Sequence, residues 1–345
     1  LQWQIASSMR CSNPHVLACT LRFCAPFLLA RYLLQRVSKE VLYCLNIKEL
    51  FMRIKLGIAP INWCNDDDPE LGKEISFEQC ISEMSAAGYV GTELGNKYPR
   101  DVSILKKALT EHGLQLSSAW FSTFFTEPDQ YEHTLSRFMD HLSFMRAMGA
   151  SFINVCECGH AIQGTERPIL SPHKPEFSAE QWEALIQGLH AMGRIAHDFD
   201  MQLVYHYHAG TGVFYEHEID YLMANTSPQL VSLLLDTGHA AFADIDSLNL
   251  INKYKERILY VHLKDIRIEV LDKVKNEHMN FMDAVRAGVF TVPGDGALEF
   301  APIINMMQKN QYSGWMIVEA EQDPAKAPPL EYAKKAFALL QQYIE

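Results

Sequence analysis

The chain has 345 residues, of which 48% are hydrophobic and 21% charged, and its formal charge is −12. That length exceeds one eight-stranded α/β barrel of about 250 residues and falls short of two, with the composition of a globular protein. The acidic balance excludes a partner with a phosphate backbone, which needs a basic stripe, and suits a small neutral ligand.

The charge is uneven. Residues 1–51 carry six basic and two acidic residues, a net of +4, together with four of the eight cysteines. The apolar stretch from Val16 to Leu34 is broken by Arg22, Pro26 and Arg31, so it makes a poor membrane span. An arginine-containing, acid-poor leader has the character of a targeting peptide. Met52 stands directly before the first convincing strand and the chain opens on Leu1, which favours translated upstream sequence. Residues 1–53 are therefore set apart as an extension, and 54–345 are expected to form one barrel domain. Cys64, Cys80, Cys156 and Cys158 remain; Cys156-Glu-Cys158 lacks the two-residue spacing of a zinc or redox motif. No disulfide framework is visible, which indicates a reducing, cytoplasmic setting.

From Ile54 onward strand and helix signals alternate. Ile54–Asn62 predicts the first strand. Ser76-Phe-Glu-Gln79 predicts a capping box opening a helix that stops at Gly88. Gly91–Gly95 and Leu114–Ser122 predict strands two and three, with a helix over Val102–His112 between them. Asp129–Met148 predicts the third helix, and Ser151–Cys158 strand four. A second capping box, Ser178-Ala-Glu-Gln181, opens the next helix after a long loop. Gln202–His208, Val231–Asp236, Ile258–His262 and Trp315–Ala320 predict strands five to eight, with helices over Glu216–Asn225, Leu248–Tyr254, Leu298–Lys309 and Leu330–Tyr343. Residues 266–296 form an insertion with a helical stretch at Met282–Ala287 and a Pro-Gly-Asp-Gly turn at 293–296. Repeated βα units without a dinucleotide-binding glycine fingerprint predict a closed (β/α)8 TIM barrel.

Three of the aliphatic runs end in Asp236, His262 and Glu319. A strand buried on both faces reads as a continuous apolar run, and an ionisable group is costly there unless it faces a site. Carboxylate and imidazole at successive strand ends suit a divalent metal. The fourth ligand is His206 or Glu157; strand five neighbours strand six, which favours His206. Alternation puts His206 and His208 on one side. Mixed oxygen and nitrogen ligands fit Mn, Co or Zn better than Mg. Asn62, Glu93, Trp120, His239, Lys264 and Glu321 are further polar or aromatic groups at strand ends. Lys97 and Arg100 follow strand two as substrate contacts or solvated charges. Trp120 stacks on a ring or plugs the barrel, and His160 and Gln163 sit on the long loop as substrate or lid candidates. The turn at 293–296 is a tight turn before it is a phosphate site.

Lys55-Leu-Gly-Ile-Ala-Pro-Ile-Asn-Trp63, Asn96-Lys-Tyr-Pro-Arg100, Tyr205-His-Tyr-His208, Asp236-Thr-Gly-His239, Val261-His-Leu-Lys-Asp265 and Glu319-Ala-Glu-Gln-Asp-Pro324 together resemble the inosose dehydratase family of xylose-isomerase-like sugar isomerase and epimerase barrels. The resemblance runs from about Ile54 to the C-terminus. It implies a hydro-lyase of myo-inositol catabolism that converts 2-keto-myo-inositol (scyllo-inosose) to a trihydroxycyclohexane-1,2-dione through an enediolate stabilised by a divalent cation, Mn or Co before Zn. Glu319, Glu157, His239 and Lys264 are then the acid and base candidates. Asn62, Lys97, Arg100, Trp120, His160 and His208 are the substrate contacts, and His206, Asp236, His262 and Glu319 the ligands. Related epimerases carry a glutamate where this chain has His206. The alternative fate of the same enediolate is epimerisation or isomerisation. A DNA-repair endonuclease on this barrel is opposed by the acidic body, and a metal-free sugar-binding barrel by the intact Asp236, His262 and Glu319 set. No nucleic acid or membrane partner is expected; homo-oligomerisation stays open.

Overall fold

Residues 54–170, 172 and 174–344 are described by the computed structural model; the extension expected over 1–53 lies outside the described residues. The strands are β1 (Ile54–Ile58), β2 (Gly91–Thr92), β3 (Gln115–Leu116), β4 (Trp120–Thr123), β5 (Phe152–Glu157), β6 (Gln202–Tyr205), β7 (Ser232–Asp236), β8 (Ile258–Leu263), β9 (Asp265–Ile266), β10 (Phe290–Thr291) and β11 (Gly314–Val318). The main sheet is parallel and runs β3-β2-β1-β11-β8-β7-β6-β5-β4. Its two ends, β3 and β4, are pieces of one segment, so the sheet closes on itself as an eight-stranded TIM barrel. The bond from Leu94 N to Ser118 O on one side and from Asn154 N to Ala119 O on the other carry the closure across the break.

Alternation sorts the side chains. Outward residues such as Leu56, Val155, Leu203, Leu235, Leu263 and Val318 pack with the helices in the main core. Val204, Leu234, Tyr260, Trp315 and Ile317 point inward and form a separate cluster with Ala59 that fills the barrel. Two residues further along each strand the same inward column becomes polar: Val204 leads to His206, Leu234 to Asp236, Tyr260 to His262 and Ile317 to Glu319. The apolar plug is therefore the floor on which the polar rim stands. A Cβ at Gly91 would lie 2.4 Å from the Trp315 ring, so glycine is what lets that ring close the bottom of the barrel.

The helix signals hold closely. Ser76 caps the helix Phe77–Ala87 by accepting from Gln79 N, although the Gln79 amide turns to Glu83 instead of completing the box. The box at Ser178 and Gln181 is complete and opens Ala179–Asp198. Strand two is shorter than expected and strand three is split. Strand five ends at Tyr205, before the histidines, because the chain turns back and His208 N bonds to Val213 O. The insertion holds two helices, Ile268–Glu277 and Phe281–Arg286, and the antiparallel pair β9 and β10. The first of these helices escaped the sequence pattern because only Leu271 and Val274 are buried on it. The turn at 293–296 binds an internal anion: Gly294 N, Gly296 N and Leu298 N all donate to the Asp265 carboxylate. No described helix is long and apolar enough to cross a membrane.

Candidate active site

The Asp236-Thr-Gly-His239 segment shows why these four residue types follow β7. Asp236 Oδ1 accepts from His239 N and caps the short helix Thr237–Phe242, which leaves Oδ2 facing the barrel axis. Thr237 Oγ1 donates to Lys264 O and accepts from Lys264 N, clasping the end of β8. Gly238 passes the Lys264 stem, since a Cβ there would stand 2.4 Å from Lys264 Cγ. His239 Nε2 is 3.1 Å from Lys264 Nζ. The backbone of Asp236 is held in turn by the Tyr207 hydroxyl, which donates to Asp236 O and accepts from Asp236 N.

Around Asp236 the donors converge. Its Oδ2 lies 3.2 Å from His206 Nε2 and 3.5 Å from His262 Nδ1, and His262 Nδ1 lies 2.7 Å from Glu319 Oε2. Asp236, His262 and Glu319 are all buried. His262 Nε2 faces Glu93 Oε1 at 3.0 Å, which also accepts from Asn154 Nδ2 at 2.7 Å; Ser118 Oγ holds Asn154. The Glu93 contact assigns a proton to Nε2 and turns Nδ1 toward the cluster, the arrangement by which outer carboxylates orient ligating histidines.

Electrostatics agree with a cation-seeking centre. Burial opposes charge on Asp236, yet the Lys264 ammonium holds its carboxyl well below the usual range. Burial pushes the His206 imidazole down to about 3, so its lone pair is free of protons near neutrality. Burial opposes a charge on His262 too, but Glu93 and Glu319 raise it well above an ordinary histidine. The carboxylates thus draw positive charge to the point where the ligand atoms meet. His262 Nδ1 and Glu319 Oε2 are both buried donor atoms that face each other, and neither has a hydrogen-bond partner of good geometry among the described residues. Two carboxylates and one imidazole with buried, convergent donors, and a second imidazole, that of His206, against Asp236, fit a divalent transition ion, whose ligands sit at about 2.0–2.2 Å.

A pocket opens above this floor. Among the described residues, five carboxylates line it, those of Asp66, Asp67, Glu93, Glu319 and Glu321, and no lysine or arginine does. Trp120 forms one wall, its ring edge-on to His206 and His208 at centroid distances of 5.4 and 5.5 Å. Apolar contact comes from Ala59, Pro60, Ile61 and Leu94. Such a mouth repels anions and accepts hydroxyl donors.

The xylose isomerase-like TIM barrel family matches residues 81–343. An inosose dehydratase of Geobacillus thermodenitrificans is 55% identical over 284 residues, covering 82% of this chain and 95% of the relative. One of Clostridium beijerinckii is 53% identical with the same coverage. The chain belongs to the inosose dehydratases. It is an enzyme of that hydro-lyase family, within the xylose isomerase-like barrels. In fold it is similar to the solved IOLI protein, described with a binding zinc atom, with a TM-score of 0.62 and 14% identity over 84% of this chain and 99% of that one.

Within the inosose dehydratase pattern, the structure brings together some of the expected residues and not others. Asp236, His262 and Glu319 meet, His206 touches Asp236 beside His239, and His208 and Trp120 line the pocket above them. His239 and Lys264 lie fully buried behind it. Asn62 is buried beside β11, where its Oδ1 accepts from Ala320 N. Glu157 is turned away from the pocket: its carboxylate accepts from Thr123 Oγ1, Phe125 N, Thr126 N, Thr126 Oγ1 and Gly159 N. Lys97 binds the carbonyls of Gly72, Lys73 and Ile75. Arg100 reaches Gly95 O. His160 pairs with Glu127 and Gln181 on the long loop. None of these five, Asn62, Glu157, Lys97, Arg100 and His160, lines the pocket. Asn154 was not singled out by the sequence, although alternation from the inward Phe152 would have found it. Asp66 and Asp67 reach the pocket from the loop after β1.

Proposed function

We propose that this chain removes water from 2-keto-myo-inositol to give a trihydroxycyclohexane-1,2-dione, using one divalent cation held by His206, Asp236, His262 and Glu319. The observation that carries it is the convergence of the Asp236, His262 and Glu319 donors, with His206 Nε2 3.2 Å from Asp236 Oδ2, at the floor of a pocket lined by carboxylates and by no lysine or arginine among the described residues. The relatives at 50–55% identity are inosose dehydratases, and a neutral polyhydroxylated ketone suits that lining. The reaction requires a proton to leave the carbon beside the ketone and a hydroxyl to leave the next carbon.

A divalent ion supplies Lewis acidity for the carbonyl and the enediolate. Glu319 is the base, since its carboxylate lines the pocket next to where the carbonyl would sit. His208, on the same wall with Nε2 3.7 Å from Glu321 Oε1, is placed to protonate the departing hydroxyl. Lys264, 3.2 Å from Glu319 and 2.8 Å from Glu321, holds both carboxylates from behind without touching substrate. Trp120 orients the ring. Manganese or cobalt is the expected ion, and the four free cysteines described fit a cytoplasmic setting. Incubating the full-length chain with 2-keto-myo-inositol and Mn2+ tests this: the enolised dione should absorb in the ultraviolet with loss of one water by mass. An epimerised inosose without dione would replace dehydration with epimerisation.

A further inference from the structure

A second group of ligating side chains lies beside the first. His208, His239 and Glu321 are buried, with donor atoms within 4.8 Å of one another. His208 Nε2 and His239 Nε2 stand 3.7 and 3.6 Å from Glu321 Oε1. Two imidazoles and a carboxylate form a donor set for a transition ion in their own right.

Lys264 competes for the same atoms. Its Nζ is 3.1 Å from His239 Nε2 and 2.8 Å from Glu321 Oε2. It is also 3.2 Å from Glu319 Oε2 and 3.4 Å from Asp236 Oδ2, and the Phe290 ring centroid closes another side at 4.8 Å. An ammonium has three protons, and this one is surrounded by acceptors drawn from both groups. A dication in the second group would sit about 2.0–2.2 Å from its donors and therefore close to a buried fixed charge, where like charges repel strongly.

We propose that Lys264 serves as the second cation of this centre, bridging Glu319 and Glu321 as a second metal ion would, so that the chain holds one ion and His208, His239 and Glu321 are a latent metal site that removal of Lys264 opens. This rests on His206, Asp236, His262 and Glu319 as ligands of the first ion. In two-metal enzymes the second ion shares carboxylates with the first; here a side chain that cannot dissociate takes that share from behind Glu319 and Glu321, without touching substrate.

The test is Co2+ stoichiometry of the full-length chain, read by elemental analysis and by visible absorption of bound Co2+. The wild type should saturate at one ion per chain, Lys264→Ala at two, and the double variant Lys264→Ala/His208→Ala at one again. Glu321→Gln alone should keep the single ion, because Glu321 does not hold it. Thermal unfolding of each variant verifies the fold. A wild type that takes up two ions overturns the proposal, as does a folded Lys264→Ala that takes up one. If Lys264→Ala does not fold, Glu321→Gln decides: retention of the ion supports the proposal and its loss overturns it. Loss of the wild-type ion in Asp236→Ala alongside a single-ion Lys264→Ala would sink only this inference; a wild type that binds no Co2+ would sink the ligand assignment as well.

Discussion

Asp236 and His262 are register partners across β7 and β8, with Oδ2 and Nδ1 3.5 Å apart at the floor of the pocket. Their spacing is set by the hydrogen-bond ladder of the sheet, so the two donor groups are held in place by the fold itself. Glu319 joins them from β11, whose Ile317 pairs with His262. Preorganisation of this kind comes from strand register, and it makes the centre sensitive to groups that aim the ligands as well as to the ligands themselves.

Glu93 is such a group. Glu93→Ala removes the acceptor at His262 Nε2 and should weaken Mn2+ binding by about 10–100-fold, the usual effect of losing an outer partner of a ligating histidine. Isothermal titration of the folded variant measures it; unchanged affinity would mean that the His262 ring is fixed by packing alone.

Lys97 should matter for stability and not for turnover. Its ammonium caps three carbonyls of the loop 72–75, and charged hydrogen bonds contribute roughly 1.5–3 kcal/mol. Lys97→Ala should lower the unfolding midpoint while KM stays at the wild-type value. A raised KM with unchanged stability would return Lys97 to the substrate.

Glu157→Gln replaces an acceptor of five hydrogen bonds by an amide whose nitrogen meets donors. The expected loss is about 3 kcal/mol in urea unfolding, the scale for an uncompensated buried polar group. The pH–rate profile of the folded variant should match the wild type; loss of one limb would show that Glu157 moves a proton in the reaction.

The grouping of Asp236, His262 and Glu319 was legible because each ends an unbroken apolar run, where a charge is costly unless it faces a site. His206 was separable from Glu157 only as a preference, since both end strands and sequence does not say which way a terminal side chain turns. The structure supplies the reason: Thr123, Thr126 and the backbone of 125–126 wrap Glu157, contacts between residues some thirty positions apart. Lys97 and Arg100 misled for the opposite reason, because a cation on a loop can satisfy carbonyls as well as a substrate. Asn154 was passed over because a single amide inside a strand carries no visible signal until the inward column is known.

His141 gives a pH signature outside the site. Burial and the nearby Arg100 and Arg137 push its imidazole down to about 4, so it is neutral in the folded chain while the unfolded chain binds a proton from about 6.5 downward. Its contribution is therefore complete above about 6.5 and lost as pH falls toward 4, by at most about 3 kcal/mol at 1.36 kcal/mol per unit. His141→Gln should flatten the fall in stability across that window; an unchanged slope would place the proton uptake elsewhere.

Adding Mn2+ to the metal-stripped full-length chain in the presence of 2-keto-myo-inositol, with bound ion and dione measured together, tests whether the ion at Asp236 carries the reaction. The rate of dione formation should rise in proportion to occupancy, saturate at one ion per chain, and be absent with the ion in Asp236→Ala. Dione formed at the full rate by the stripped chain, or by Asp236→Ala without bound ion, would contradict it.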